Sequence, residues 1–478
     1  MKRYSVLGAS LCKQDATAVL GCVKALFTLL EVYGFDGRID ERRSFNRTVI
    51  VWRAGSAASG SWMKFCKWKF ATFFHHFSGN LDVAPPAPFK LSSGFVDNGR
   101  ILCCGVAGRF SAGLVRSPLT SDSFLASILQ VKKGCPRPGK ELVEKATESA
   151  VIALTSTQPE QKTGWLLPWG DMEAASAADI HVYLDKSTVM MQLRRTVIEL
   201  FRGKKYEDAD RWRLLFPSTS ASYDDSRAKG GAFRSIRNFA FKQDLISRRP
   251  TEAADRSGKF AKRPKGHAPS LVGFEQSKST SIAPEIPIGE TKSFNVDVTT
   301  LEAAATALYE TMLPEAIREP PYVKAVGLAE SLKVRVITKG APLTTKILHP
   351  LQKFLWGVLQ KHPAFELIGA PVTARIVQDR LGAQLKEGEV YLSGDYSSAT
   401  DKLAPWVSET IADAIATEIG LRPEERELFL RSLTGNIFDV DGGKKQQMWG
   451  QLMGSIVSFP ILCIANAALC RWSMEVSQ

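Results

Sequence analysis

The sequence predicts an α+β chain dominated by helices, and two observations carry that prediction. Apolar residues recur at helical spacing over 141–154, 188–201, 296–318, 350–361, 405–420, 423–433 and 461–474. Strand signals are fewer and fall in the second half. They are the alternating run 331–340, the apolar run 389–392, and the runs 436–440 and 445–449 flanking the turn residues Asp441-Gly442-Gly443. With 478 residues, 44% of them hydrophobic, the chain can bury two or three cores. By pattern it divides into a helical region 1–215, a region 216–385 with a basic loop, and a mixed segment 386–478.

Charge narrows the class of partner. A net charge of +13 points to a polyanion, nucleic acid before an anionic membrane surface. The eight cysteines (12, 22, 66, 103, 104, 135, 463, 470) form no CxxC pair and no His-spaced pattern, so they read as reduced thiols rather than zinc ligands. No transmembrane segment is expected. The best apolar run, 16–35, is interrupted by Lys24 and Glu31 and reads as an amphipathic helix. Lys2 and Arg3 precede no small-residue cleavage site, so a secretory signal is not expected either.

Along the chain, the first feature is WMKFCKWKFATFFHHF at 62–77. Aromatics interleaved with lysines can stack bases and neutralise phosphates. They equally make a helix whose aromatic face is buried while Lys64, Lys67 and Lys69 stay solvated, and this is the preferred reading. The segment 84–88, APPAP, then breaks the chain. A Pro/Gly/Ser-rich basic stretch at 248–281 carries Arg248, Arg249, Lys262, Arg263 and Lys265. It reads as a solvated linker that can also track an RNA backbone, since phosphate neutralisation needs only accessible cations. In the strand 331–340, Lys333, Arg335 and Lys339 share one face with Ile337, while Val334, Val336 and Thr338 share the other. A row of cations suits a triphosphate, although a lysine-protected edge strand has the same pattern.

The chain is organised around 391–403, YLSGDYSSATDKL. A short apolar run delivers Asp395, and Asp401 follows after five residues, a tyrosine and four small or hydroxylic ones. Two carboxylates so spaced at the end of a strand suit a site that handles a metal-bound nucleotide. After two helices and the hairpin comes a Gly- and Ser-containing loop at 450–460, then an apolar helix.

Taken in order, these segments resemble the fingers and palm of a viral RNA-dependent RNA polymerase, with ourmia-like and narna-like viruses the nearest look-alikes. KVRVITKG at 333–340 resembles the basic fingers motif F. GDYSSATDKL at 394–403 resembles palm motif A, and WGQLMGSIVSFPILCIAN at 449–466 resembles motif B. SRAKGG at 226–231 is similar to a glycine-pair element of the fingers. The resemblance covers the later part of the chain and leaves 1–215 unassigned. It implies a right-hand polymerase fold with helix-rich fingers and an incomplete palm sheet. It implies Asp395 as catalytic ligand of Mg²⁺ (or Mn²⁺), and Asp401, Ser458 and Asn466 in ribose recognition. Lys333, Arg335 and Lys339 would meet the triphosphate, and Gly454 and Ser455 would form the motif B loop. The implied partners are an RNA template, the nascent strand and ribonucleoside triphosphates, in the host cytoplasm.

The departure from the family is motif C. No Gly-Asp-Asp follows motif B, and the lone Asp-Asp pair, Asp224-Asp225, sits upstream between polar flanks and is not expected to be catalytic. The expectation is therefore a chain that does not polymerise RNA alone. Either it is truncated, or a second polypeptide supplies motif C and the thumb. The alternative is a decayed polymerase kept as an RNA-binding subunit of a replication complex.

Overall fold

The computed structural model describes residues 5–6, 9–10, 13–36, 41–55, 62–77, 86–87, 90–91, 105–117, 119–131, 137–157, 186–211, 219–245, 298–366, 368–369, 373–382, 394, 396, 398–441 and 443–476. Near the N-terminus a short pair, β1 (Ser5–Val6) and β2 (Ala9–Ser10), precedes five helices: α1 (Lys13–Val32), α2 (Glu41–Gly55), α3 (Trp62–Phe77), α4 (Gly105–Arg116) and α5 (Ser121–Val131). α1 is amphipathic as expected, with Val19, Cys22, Val23, Leu26 and Leu30 buried and Lys24 and Glu31 exposed. α3 buries its aromatic face: Trp62, Phe65 and Phe73 lie in the same core, and Trp62 packs edge-on against Trp52 at 5.3 Å. Lys64 and Lys67 are exposed. Lys69 is not, contrary to expectation. It follows Trp62 and Phe65 at helical spacing, so it falls inside the apolar stripe, where its ammonium lies 5.9 Å from the Trp68 ring centre.

The second body contains α6 (Lys140–Thr155), α7 (Lys186–Phe201), the turn α8 (Asp208–Arg211), α9 (Gly231–Lys242) and α10 (Val298–Arg318). A hairpin follows, β3 (Tyr322–Glu330) and β4 (Lys333–Lys339), then α11 (Pro342–Leu359), α12 (Ala374–Leu381) and the turn α13 (Ala399–Lys402). Last come α14 (Pro405–Ile419), α15 (Pro423–Thr434), β5 (Ile437–Val440), β6 (Gly443–Gln446) and α16 (Ser458–Val476). The four strands form one mixed sheet in the order β4-β3-β5-β6, with β3 and β5 parallel and the other neighbours antiparallel. A helix-rich chain with one small mixed sheet agrees with the α+β class.

Several boundaries differ from the sequence reading, each for a physical reason. The sequence pattern predicts no strand over 322–330, yet β3 pairs with β4 from Lys324–Lys339 to Glu330–Lys333. α11 starts eight residues before the expected 350. Pro342 opens it, and Pro350 is carried inside it. A proline within a helix forfeits one backbone bond. The stripe Ile347, Leu351, Leu355 and Leu359, all buried, outweighs that loss at about 1.5–3 kcal/mol per side chain. The second hairpin strand is 443–446 rather than 445–449, because Val440 pairs with Gly443 and only 441–442 remain as the connection. The expected strand 389–392 and the basic stretch 248–281, with Arg248, Arg249, Lys262, Arg263 and Lys265, lie outside the described residues.

Two contacts position the sheet. α6 lies across β3 and β4, close enough at Gly327 that a Cβ there would come within 2.5 Å of the Thr147 hydroxyl. The hairpin tip, Leu332, is 1% exposed and packs into the N-terminal helical core. It holds a left-handed backbone (φ +56°) that is unfavourable for a branched side chain. The largest core joins α7, α10, α11, α14, α15 and α16.

That core contains a buried ion pair. Arg211 donates to both carboxylate oxygens of Glu425 at 2.6 and 2.9 Å, and the Tyr309 hydroxyl donates to the same group at 2.6 Å. The Arg422 backbone N–H adds a further bond at 3.0 Å. Burial alone would push the Glu425 carboxyl up, but these donors together hold it below the usual carboxylate range. Arg211→Met should leave that carboxylate buried and unpaired, costing about 3–5 kcal/mol in urea unfolding. In the unsubstituted chain the contribution should be complete above the unfolded carboxylate pKa of about 4.3 and fade as pH falls through the lower folded value.

Candidate active site

Three segments that are distant in sequence meet beside the sheet: the end of β4, the turn 398–402, and the loop 447–458. Each is positioned by a different constraint.

β4 supplies the cations. Its inner residues, Val334, Val336 and Thr338, share a face with Val323, Ala325 and Gly327 beneath α6. Lys333, Arg335 and Lys339 share the opposite face with Ile337, as the alternation predicts. The register adds Lys324, directly across from Lys339. Arg335 also pairs with Glu330 at 3.4 Å, with both side chains about half exposed. That exposed pair is worth little and leaves the guanidinium available for exchange.

The turn supplies a carboxylate. Ser398 takes a left-handed conformation (φ +57°) and starts α13, which carries Asp401. Asp401 is half-buried and accepts from the Thr400 hydroxyl at 3.2 Å. Burial raises its pKa above the ordinary aspartate value, and the Thr400 bond opposes this without cancelling it. Among the described residues no cation pairs with it. Such a half-buried carboxylate without a cation is a candidate ligand-binding group. Asp395, the other expected carboxylate, lies outside the described residues.

The loop locks the other two segments together. Gly454 donates its backbone N–H to the Thr338 hydroxyl at 3.1 Å, and a Cβ on Gly454 would fall 1.9 Å from the Thr338 carbonyl oxygen. Gly450 has a left-handed backbone (φ +68°), and a Cβ there would meet the carbonyl oxygens of Asp401 and Thr400 at 2.9 and 3.0 Å. Gln451 donates its backbone N–H to the Thr400 carbonyl at 3.0 Å. Its fully buried amide accepts from the Ser408 hydroxyl at 3.3 Å and donates to the Ser458 carbonyl at 3.1 Å. Gln447 donates to the carbonyls of Leu433 and Gly450, both at 2.9 Å. The α6 C-terminus is held too, since the Leu154 carbonyl accepts from the N–H groups of Met448 and Trp449.

Other expected site residues sit as follows. Ser458 is 3% exposed and donates its hydroxyl to the Leu452 carbonyl at 2.6 Å, so in this conformation it serves the loop instead of facing an open site. Ser455 lies in the loop, its N–H bonded to the Leu452 carbonyl. Asn466 is exposed on α16, where its Oδ1 accepts from the Tyr396 hydroxyl at 2.8 Å. Asp225 braces a turn through Ser235 at 2.9 Å and Ser222 at 3.1 Å, and neither it nor Asp224 lies in a strand. Sequence reasoning missed Lys324, Tyr396, Gln447 and Gln451. The two glutamines, four apart before a glycine loop, were a signal without a recognised partner.

Among the described residues no three His, Cys, Asp or Glu side chains gather as a metal cluster. The hard oxygens of Asp401 and, by its residue type, Asp395 fit a divalent cation of the magnesium class. No helix among the described residues is long and apolar enough to cross a membrane.

The chain is similar to a viral RNA-dependent RNA polymerase. That relative is the RNA-dependent RNA polymerase of Ourmia melon virus (isolate Melon/Iran/VE9), 28% identical over 430 residues, which is 85% of this chain and 43% of the relative. The chain thus spans less than half the length of the curated relative it matches. No family model matches, and no solved structure matches significantly.

Gly454→Ala should force the loop off β4, because the obstructing atoms are backbone. The expected result is a lower unfolding midpoint and faster proteolytic cleavage near 450–456, with Gly113→Ala, a helical glycine whose added Cβ meets nothing within 4 Å, as the control.

Proposed function

We propose that this chain carries the nucleotide-binding part of a viral RNA-directed RNA polymerase, a ribonucleotidyl transferase that replicates a viral genome. The observation that carries the reading is the docking of the glycine loop onto both the basic strand and the Asp401 turn. Similarity to the Ourmia melon virus polymerase over most of the chain supports it. In this reading Lys333, Arg335 and Lys339, joined by Lys324, hold the triphosphate by charge. Asp401 accepts a hydrogen bond from the ribose. A site that spends a half-buried carboxylate on a substrate hydroxyl discriminates strongly against the analogue lacking it. Asp395 takes the role of metal ligand, with Mg²⁺ or Mn²⁺ as the ion. When bound, such an ion activates the attacking oxygen and neutralises charge on the phosphates. Gly454 keeps the loop pressed against β4 and Ser455 closes a turn of that loop on Leu452, which fixes the distance between the basic strand and the carboxylate turn.

A second reading, favoured by the net charge of +13, is a decayed polymerase retained as an RNA-binding subunit.

The two readings separate in one titration. A polymerase site should bind ATP in a Mg²⁺-dependent way, with Asp395→Ala and Asp401→Ala each weakening it about tenfold or more. Because burial raises the Asp401 pKa, binding should also weaken on acidification sooner than an ordinary aspartate would allow. A decayed RNA binder should hold RNA without Mg²⁺ and show no effect of either substitution on RNA affinity.

A further inference from the structure

We propose that Tyr396 is a positioning residue for ribose discrimination, acting by setting the direction in which the Asn466 side-chain amide faces. The proposal rests on the polymerase reading above and deepens it. Tyr396 directly follows Asp395, and Asn466 lies seventy residues later on α16. The Tyr396 hydroxyl donates to Asn466 Oδ1 at 2.8 Å. From one turn further along α16, the Cys470 thiol approaches the same oxygen at 3.7 Å. An amide has one acceptor oxygen and a two-donor nitrogen on opposite sides. With two donors converging on Oδ1, the Nδ2 group turns the other way. Among the described residues no hydrogen bond occupies Nδ2, and Asn466 is exposed. The residue therefore offers two N–H donors outward and no acceptor.

That polarity complements the oxygen of a ribose hydroxyl, while Asp401 accepts that hydroxyl's proton. One hydroxyl can satisfy both, as donor to the carboxylate and acceptor from the amide. A 2′-deoxy sugar can satisfy neither. Without the tyrosine hydroxyl the amide can rotate and present its oxygen instead, which would repel the ribose oxygen's lone pairs. The bond also ties Tyr396, five residues before Asp401 in the chain, to the α16 helix that carries Asn466.

The test compares the affinities of the full chain for ATP and 2′-deoxy-ATP in Mg²⁺. Tyr396→Phe, which removes only the hydroxyl of a 58% exposed side chain, should lower the ribo-over-deoxy preference about tenfold at an unchanged melting point. Asn466→Asp keeps an acceptor for Tyr396 but deletes the outward donors, and should lower the preference at least as far. The double variant should fall no further than Asn466→Asp alone, since both act through one group. Tyr396→Phe with an unchanged preference, or with equal loss of both nucleotides, would overturn the proposal. So would an unsubstituted chain that binds both nucleotides equally. A chain that binds neither in Mg²⁺ would refute the polymerase reading, and this proposal would fall with it.

Discussion

At two points of the candidate site, glycine lets backbone lie directly against backbone. Gly454 lies against the carbonyl and hydroxyl of Thr338, and Gly450 lies against the carbonyls of Thr400 and Asp401. Everything at the candidate site depends on that contact. It sets the separation between a strand of cations and a turn that carries a carboxylate. Neither side can relax independently, because interiors packed to crystal-like density shift rather than stretch. The buried amides of Gln447 and Gln451 serve the same end. They satisfy loop carbonyls that would otherwise be stranded away from water, each at a cost of about 1–3 kcal/mol.

The scaffold around the loop is divided between burial and charge. The apolar stripe of α11 and the faces of α14, α15 and α16 bury the largest core. The bonds that select one arrangement of those helices are polar. Arg211 and Glu425 tie α8 to α15, and Tyr309 brings α10 to the same carboxylate. Arg431 spans to the end of α10 by donating to the carbonyls of Ala316 and Ile317. On the outer surface, Arg195 and Arg471 pair with Glu475 and Glu199 between α7 and α16, where solvent screens them and their stabilising effect is small. The N-terminal helices reach this body through Leu332. A branched side chain in a left-handed turn is retained there because its burial exceeds the backbone cost of about 1–2 kcal/mol.

Electrostatics distinguishes the candidate site from the scaffold. Several scaffold carboxylates have arginine partners, and Glu425 is held ionised by its donors; Glu319 instead accepts from the Leu343 and Thr344 N–H groups, and burial raises its pKa. Asp401 has a threonine hydroxyl and no cation among the described residues, and its pKa shifts opposite to that of Glu425. The outward face of β4, with three basic residues and Lys324 alongside, points to an anion carrying several charges.

The sequence by itself determined the local elements and the alphabet of the site. Helical periodicity located α6, α7, α14 and α15 to within two residues at each end, because an amphipathic stripe is a property of neighbouring residues. Strand alternation placed Lys333, Arg335 and Lys339 on one face for the same reason. Only the tertiary structure decided the rest. Lys69 is buried because its helix turns it into a core built by four other helices. β3 escaped notice since an alternating run of small residues becomes a strand only when β4 and β5 pair with it. Pro350 stays inside a helix because distant apolar partners repay its missing bond. Ser458 turns inward to the Leu452 carbonyl, and Asn466 finds Tyr396 across seventy residues. Hydrogen bonds and close approaches of that kind join segments whose separation along the chain carries no information about their separation in space.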